Sequence, residues 1–308
     1  MPSLRARLLD TVALPILRGR SWTARDVRAR VAAQAASPAV VRVPRWLDRF
    51  ARHTVTDHAG WPVHELTPPA APTGGQAASG PVTVLYLHGG GYIAEPVSWH
   101  WLLVARLTRD VPARVVVPLY PLAGRGLPAD VVSGVADLLD ELLGEARAAG
   151  GRLVVMGDSA GGGLALAAAQ AARARGRPQP DRIALISPWL DVTMTHPDQP
   201  AIARQDHMLR IDGLAEAGRC YAGALDPADP LVSPLNGSLA GLAPLTVLCG
   251  THDVLLPDSR RLVAGAAEAG LVIDYHEAPG LPHCYPLAPI PESAAARATL
   301  IAACRADR

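Results

Sequence analysis

The segment that decides the fold is GDSAG at Gly157–Gly161, which stands directly between an apolar strand (Leu153–Met156) and an Ala-rich helix (Leu164–Ala174). A G-x-S-x-G turn at a strand-to-helix junction holds its serine in a strained conformation, with the hydroxyl clear of the sheet. Only small residues fit on either side of such a turn. A phosphate-binding turn is the alternative, but Asp158 would then face the anion. The pattern therefore predicts that Ser159 is a nucleophile beside a helix N-terminus.

Strands and helices alternate on both sides of this turn. The predicted strands are Thr54–Thr56, Val63–Leu66, Val82–Leu87, Arg114–Leu119, Leu153–Met156, Ile183–Ile186, Leu245–Leu248 and Val272–His276. The predicted helices between and after them are Ser98–Arg109, Ala129–Ala149, Leu164–Ala174, Pro257–Ala269 and Ser293–Cys304. Short apolar strands between helices indicate an α/β fold with a mostly parallel sheet covered by helices on both faces. The Pro/Gly-rich stretch 67–81 is predicted to be an exposed, mobile loop between two strands.

Composition excludes several classes of function. The chain has 308 residues, is 49% hydrophobic and 19% charged, and carries a net charge of +1. We therefore expect a folded protein without a nucleic-acid partner. All 29 basic residues are Arg, so a Lys Schiff base and a P-loop Lys are excluded. The four cysteines form no CxxC pair, and we expect no metal site and no disulfide framework. Asp10 and Pro15 interrupt the first apolar stretch, so we expect no signal peptide, no membrane span and a cytoplasmic protein.

A glycine-rich loop, His88-Gly89-Gly90-Gly91-Tyr92, follows the strand Val82–Leu87. Acyl transfer creates a tetrahedral oxyanion, which backbone N–H groups stabilise only where no Cβ keeps the substrate away. We expect Gly90 and Gly91 to donate from this loop and Ala160 from the nucleophile turn. His88 is expected to be buried and to hold the loop in shape. An ordinary turn after a strand is the alternative.

A serine nucleophile needs a base, and the base needs an orienting carboxylate, in the chain order Ser, Asp or Glu, His. Of the histidines after Ser159, His283 alone lies in a turn between the last strand and the last helix, and it is the predicted base. Asp253 follows the strand Leu245–Leu248 and is the favoured acid, because ligand-facing groups collect at the carboxyl ends of parallel strands. Asp258 is the alternative acid, although it is explained as a helix-start residue.

Five ordered motifs make the chain resemble the hormone-sensitive-lipase-like branch of the α/β-hydrolases, the GDXG esterases. They are HGGGY at His88–Tyr92, GDSAGGG at Gly157–Gly163, SPWLD at Ser187–Asp191, GTHDVLLPD at Gly250–Asp258 and GLPHCY at Gly280–Tyr285. The resemblance implies an α/β-hydrolase fold with a helical cap. It divides the chain into cap helices (1–52), a first core part (53–190), a cap insertion (191–233) and a second core part (234–308).

The resemblance also implies hydrolysis of short-chain carboxylic esters without cofactor or metal, with the first aspartate after GTH as the acid, which is Asp253. In the family, the equivalent of Asp158 supports the nucleophile turn and does no chemistry. The chain departs from the family pattern at Tyr120–Arg125, where a Pro and a Glu are missing. That Glu supports the catalytic loops in relatives, so one support is lost while the predicted triad is complete.

The sequence leaves the substrate pocket and some functions open. Tyr92, Trp99 and Trp189 are predicted to line the pocket, with core packing as the alternative; Trp101 and the cap residues Trp22 and Trp46 are further candidates. The predicted partner is a small-molecule ester, and an oligomer is compatible with the sequence. A lactone hydrolase, an esterase of secondary-metabolite acyl groups, an acyltransferase and a non-catalytic ligand-binding relative are the alternatives, although the presence of His283 argues against the last.

Overall fold

The computed structural model describes residues 2–14, 22–37, 41–69 and 80–305. Eight strands form one sheet: β1 (Arg52–His58), β2 (Trp61–Thr67), β3 (Val82–Leu87), β4 (Arg114–Pro118), β5 (Arg152–Asp158), β6 (Arg182–Ile186), β7 (Leu245–His252) and β8 (Ile273–Pro282). Their order across the sheet is β1-β2-β4-β3-β5-β6-β7-β8. β2 pairs antiparallel with β1 and β4, and every other neighbouring pair is parallel. The predicted α/β class with a mostly parallel sheet is confirmed.

The helices lie between the strands and at both ends of the chain. They are α1 (Leu4–Leu8), α2 (Ala24–Ala36), α3 (Ser98–Asp110), α4 (Pro128–Ala148), α5 (Ala160–Ala174), α6 (Gln199–Ile202), α7 (Ile211–Ala222), α8 (Leu256–Glu268) and α9 (Glu292–Arg305). Local sequence explains where several of them begin. Thr23 and Asp26 form a capping box at the start of α2, and Pro128 opens α4 at a position whose N–H would be unpaired in any case. Among the described helices, none has the length and apolar character needed to cross a bilayer.

The alternation of side chains along each buried strand builds two cores. In β3, Leu85 and Leu87 face a core shared with α4, α5 and α8, whereas Val84 and Tyr86 face the opposite core, which α3 and α9 cover. This follows from the two-residue period of a strand. The sheet is therefore buried on both faces, as its continuous apolar strands predict.

Two differences from the sequence-based boundaries matter for the site. α5 begins at Ala160, directly after Ser159, whereas its apolar pattern begins only at Leu164. β8 continues through the predicted turn to Pro282, which pairs with His252 of β7 after a shift in register. Of the loop 67–81, residues 70–79 lie outside the described residues.

The N-terminal helices contact the segment inserted between β6 and β7. Arg28 of α2 forms an ion pair with Glu216 of α7 at 3.1 Å. Gly213 of α7 has no Cβ at the point where the carbonyl oxygen of Trp22 approaches, and any side chain there would overlap that oxygen. The two predicted cap segments thus meet, while the domain boundaries themselves stay a prediction.

Candidate active site

The predicted nucleophile lies in a sharp turn at the carboxyl end of β5. Ser159 has φ 51° and ψ −121°, a left-handed region that non-glycine residues rarely adopt, and α5 begins at the next residue. Its N–H donates to the carbonyl oxygen of Ile186 at 2.9 Å, which ties the turn to the end of β6. A Cβ on Gly161 would overlap the carbonyl oxygen of Leu87, so the close approach of α5 to β3 requires glycine there. This is the strained strand-to-helix turn that the motif predicts.

The predicted base and acid are hydrogen-bonded to each other. His283 Nδ1 and Asp253 Oδ2 are 2.9 Å apart, and both residues are buried. The other oxygen of Asp253 accepts the N–H of Leu255 at 2.9 Å, so the carboxylate has a fixed orientation. Burial lowers the pKa of His283, but the carboxylates of Asp253, Asp206 and Asp158 outweigh burial and hold this pKa above its usual value. The pair is therefore suited to accept and stabilise a proton on the imidazole.

The alternative acid, Asp258, has a different environment. Its Oδ1 lies 3.3 Å from the guanidinium of Arg261, in the same helix. Burial and the neighbouring Asp191 carboxylate raise the pKa of Asp258 to about 7. Within the described residues no hydrogen bond joins Asp258 to His283. The geometry therefore favours Asp253 over Asp258 as the partner of the imidazole.

A cysteine lies between the imidazole and the nucleophile turn. Cys284 Sγ is 3.3 Å from His283 Nε2 and 3.7 Å from Asp158 Oδ2, and the backbone N–H of Cys284 donates to Ser187 Oγ at 3.0 Å. In the described part of the chain, no hydrogen bond joins Ser159 Oγ to His283. Hydrogen bonds between a nucleophile and its base are often long before substrate binds. The thiol thus contacts the imidazole of His283 and the carboxylate of Asp158, the residue before Ser159.

The glycine loop after β3 presents unpaired donors. Gly90 has φ 124°, and a Cβ there would crowd the carbonyl oxygen of Ala94. Within the described residues, no hydrogen bond uses the N–H of Gly90, Gly91 or Ala160. Three N–H groups predicted to face an oxyanion are therefore free to receive one, since nothing else in the described chain occupies them.

Asp158 fastens this loop to the nucleophile turn. Its Oδ1 accepts the hydroxyl of Tyr86 at 2.5 Å and the N–H of Gly89 at 3.0 Å, and its Oδ2 lies 3.3 Å from His100 Nε2. Burial raises the pKa of Asp158, but these three partners outweigh burial and keep the pKa below its usual value. A buried carboxylate with these partners thus links the glycine loop His88–Tyr92 to the turn that carries Ser159.

His88 supports the loop and has no features of a base. Its ring is buried and stacks on Tyr120 at a centroid distance of 4.5 Å, and Nδ1 lies 2.8 Å from the carbonyl oxygen of Gly89. Burial lowers the pKa of His88 to about 4, so the ring is neutral at physiological pH. The Tyr120 hydroxyl donates to the carbonyl oxygen of His88 at 2.5 Å, and Ala123 N–H donates to Tyr92 O at 2.8 Å. The segment Tyr120–Arg125, which lacks the family's Glu, therefore still binds the backbone of the glycine loop.

The predicted pocket residues occupy different environments. Tyr92 stacks on Tyr221 at a centroid distance of 3.7 Å and lies against Trp189, and both Tyr92 and Trp189 are buried in the core. Trp99 is half-buried on α3 and packs on the opposite core. These contacts match the packing alternative, and a pocket role for the three stays a prediction. Trp22 is closer to the loop: a Cβ on Gly91 would be 3.0 Å from its ring.

Two carboxylates that the sequence did not single out contact the residues on either side of Asp253, the predicted acid. Asp206, from the insertion, accepts the N–H of Val254, the residue after Asp253, at 2.9 Å. Asp10 bridges two histidines, His207 Nδ1 at 3.1 Å and His252 Nδ1 at 2.9 Å. No local pattern marks these contacts, because they join residues about 50 to 240 positions apart in the chain. Among the residues that the structure describes, no cluster of three or more His, Cys, Asp or Glu side chains is suited to hold a metal ion.

Residues 84–287 match the family described as alpha/beta hydrolase fold, and the chain belongs to that family. It is 36% identical over 225 residues to a Mycobacterium tuberculosis protein named triacylglycerol lipase, covering 73% of this chain but only 45% of that relative. It is 35% identical over 204 residues to an acetyl-hydrolase of Streptomyces hygroscopicus, covering 66% and 68% of the two chains.

A solved structure supports the same placement over almost the whole chain. An esterase of the bacterial hormone-sensitive lipase family superposes with a TM-score of 0.80 at 27% identity, covering 99% of each chain. Within the α/β-hydrolases, the chain is thus a member of the hormone-sensitive-lipase-like carboxylic ester hydrolases, as its five motifs predict.

Proposed function

We propose that this protein is a serine carboxylesterase that hydrolyses short-chain acyl esters, with Ser159 as nucleophile, His283 as base and Asp253 as the orienting acid. The observation that carries the proposal is the buried 2.9 Å contact between His283 Nδ1 and Asp253 Oδ2, at the sheet edge where the strained Ser159 turn also lies. A carboxylate on Nδ1 keeps the proton there and leaves Nε2 free to accept one from a serine.

The reaction proceeds in two halves. His283 Nε2 takes the proton of the Ser159 hydroxyl while the oxygen attacks the ester carbonyl carbon. The N–H groups of Gly90, Gly91 and Ala160 donate to the resulting oxyanion, and loss of one such donor typically costs about 3 kcal/mol. The imidazolium then gives its proton to the departing alcohol. Water, deprotonated by the same imidazole, attacks the acyl-serine and releases the acid, which restores the serine.

Before the first step, the Ser159 hydroxyl and His283 Nε2 must come into hydrogen-bond contact. Cys284 Sγ occupies the space next to Nε2 at 3.3 Å. The thiol itself is a poor nucleophile, since burial and the Asp158 and Asp253 carboxylates raise its pKa well above the usual value.

A short acyl group is favoured by the ring of Trp22, which packs on the oxyanion loop at Gly91. A bulky acyl chain bound at that loop would have to displace this ring. The relative named acetyl-hydrolase agrees with a small acyl group, although another relative is named a triacylglycerol lipase.

The test is hydrolysis of p-nitrophenyl esters of graded length, and of lactones, by the wild type and by Ser159→Ala. The proposal expects acetate and butyrate to be turned over, octanoate to react poorly, and Ser159→Ala to lose activity by a factor of about 10⁴ or more. A fluorophosphonate should label the wild type and not the variant. Equal rates for the two proteins would remove Ser159 from its role, and a wild type that resists labelling would indicate a binding protein instead.

A further inference from the structure

The insertion between β6 and β7 contains a carboxylate with no exposed surface, Asp206. Its Oδ1 accepts the N–H groups of Met208 at 2.8 Å and Leu209 at 2.7 Å, which closes a turn within the insertion. Its Oδ2 accepts the N–H of Val254 at 2.9 Å. Because Val254 follows Asp253 directly, one side chain fixes the insertion and the loop of the proposed acid relative to each other.

The carboxylate is also electrostatically coupled to the acid and the base. Burial and the negative charge of Asp253 together raise the pKa of Asp206 to about 6, although the N–H donors and His283 oppose the rise. In the other direction, the negative charge of Asp206 contributes to the raised pKa of His283. A buried carboxylate that accepts three N–H bonds is held as an anion at neutral pH, where its charge acts on the imidazole through a medium of low dielectric constant.

A second contact fastens the same two segments. His207 follows Asp206 and His252 precedes Asp253, and both imidazoles bind the buried carboxylate of Asp10. The insertion is thus attached to the acid loop a second time, through Asp10, next to the hydrogen bond between Asp206 and Val254. Two independent attachments at one point indicate that the position of the insertion and the position of the acid are coupled.

We propose that Asp206 is a positioning residue of the hydrolytic site, which holds the Asp253 loop in place through Val254 N–H and supplies a second negative charge behind the His283 imidazole. The inference rests on the proposed function. Asp206 does not touch the substrate. It acts through Asp253 and His283, whose imidazole becomes a cation when it takes the serine proton. The insertion therefore belongs to the catalytic machinery and is more than a cover over the site.

Asp206→Asn tests this with little change in shape. The amide oxygen can accept from Met208 and Leu209, but the amide nitrogen then faces the N–H of Val254, donor against donor, so the tie to the acid loop is lost together with the charge. We expect kcat for p-nitrophenyl acetate to fall by up to about 100-fold with KM close to wild type, since misplacement of a catalytic group has this effect. The acidic limb of the pH profile should move to lower pH, because His283 loses a neighbouring anion.

The pH limb separates this role from a merely structural one. The other titratable groups facing His283 are Asp253, Asp158 and Cys284, and the substitution leaves all three in place. The matched control is Asp229→Asn, which removes another insertion carboxylate that accepts a backbone N–H, that of Leu231 at 2.9 Å. It should change neither kcat nor the limb.

Asp206→Glu keeps the charge and moves the carboxylate, so it should lower kcat and leave the acidic limb near its wild-type position. This variant decides the matter if Asp206→Asn does not fold. An Asp206→Asn enzyme with wild-type kcat and an unmoved limb overturns the inference, as does a folded Asp206→Glu enzyme with unchanged kcat. Both outcomes are read only if the wild type is active and Ser159→Ala is inactive. If the wild type is inactive, or Ser159→Ala is as active as the wild type, the proposed function itself is refuted.

Discussion

Replacement of Asp253 by Asn should prevent His283 from acting as the base, because it moves the ring proton to Nε2. The Leu255 N–H points at Oδ1 of residue 253 at 2.9 Å, so the Asn side chain must place its oxygen there. Its NH₂ group then faces His283 Nδ1, which has to accept a hydrogen bond and therefore gives up its proton. The proton of a neutral imidazole moves to Nε2, where it prevents removal of the serine proton.

The expected loss in kcat is about 10⁴-fold, the magnitude typical of an acid-to-amide change in a serine triad. This corresponds to about 5 kcal/mol of transition-state stabilisation. KM should change little, because Asp253 is buried behind the imidazole and does not face the substrate. The assay is steady-state hydrolysis of p-nitrophenyl acetate at mildly alkaline pH, with a melting curve to confirm folding.

Asp258→Asn is the matched control. Asp258 is also buried and lies five positions further along the chain, but it contacts Arg261. Since the pKa of Asp258 is about 7, the amide resembles the protonated form that is already populated at neutral pH. This variant should keep most of its activity. The reasoning is refuted if a folded Asp253→Asn enzyme keeps near wild-type kcat, or if the two variants lose activity equally.

Three further predictions concern the pH profile, the support of the oxyanion loop and the pocket. Hydrolysis needs a neutral His283, whose pKa is raised, so activity should be lost as pH falls through a value above the 6.5 of an ordinary histidine; an acidic limb below that value contradicts this. In Asp158→Asn the new amide NH₂ faces His100 Nε2–H, the protonated nitrogen because Nδ1 accepts Val97 N–H at 2.9 Å. Because this leaves one buried donor unsatisfied, the free energy of unfolding should fall by about 1–3 kcal/mol in urea titrations. The surface control Asp137→Asn should change it by less than about 1 kcal/mol. Equal effects of the two variants would argue against two donors facing each other at residue 158. Trp22→Ala removes the ring over the oxyanion loop and should raise kcat/KM for p-nitrophenyl octanoate relative to acetate by about tenfold, and an unchanged ratio would exclude Trp22 as a limit on acyl length.

The chemical motifs could be predicted from the sequence because each of them spans only a few consecutive residues. The strain at Ser159, the need for glycine at Gly161 and the free donors after β3 all arise within a few residues of a strand end, where turn geometry restricts residue type. Parallel strands bring their carboxyl ends to one edge, so the sequence also predicted that Ser159, Asp253 and His283 lie on the same side of the sheet. The hydrogen bond between His283 and Asp253 agrees with that expectation.

Side-chain environments were less accessible to sequence reasoning. Tyr92 and Trp189 were predicted to line a pocket, with core packing as the alternative, and both are buried, with Tyr92 stacked on Tyr221 of α7. An aromatic side chain serves equally well in a pocket wall and in a core, and only its neighbours decide between them. The missing Glu after Tyr120 is a similar case, since the Tyr120 hydroxyl and the Asp158 carboxylate hold the loop without it.

By itself, the sequence determined the α/β class and the succession of strands and helices along the chain, and it predicted the residues for acyl chemistry, because strand periodicity and turn sterics act over short distances. Only the tertiary structure decided that Asp206 binds the backbone beside Asp253, and that Asp10 joins His207 to His252. Those contacts depend on how the cap segments dock on the sheet. Docking depends on packing between residues that are far apart in the chain. A buried carboxylate stabilises it only once its N–H and imidazole partners lie next to it.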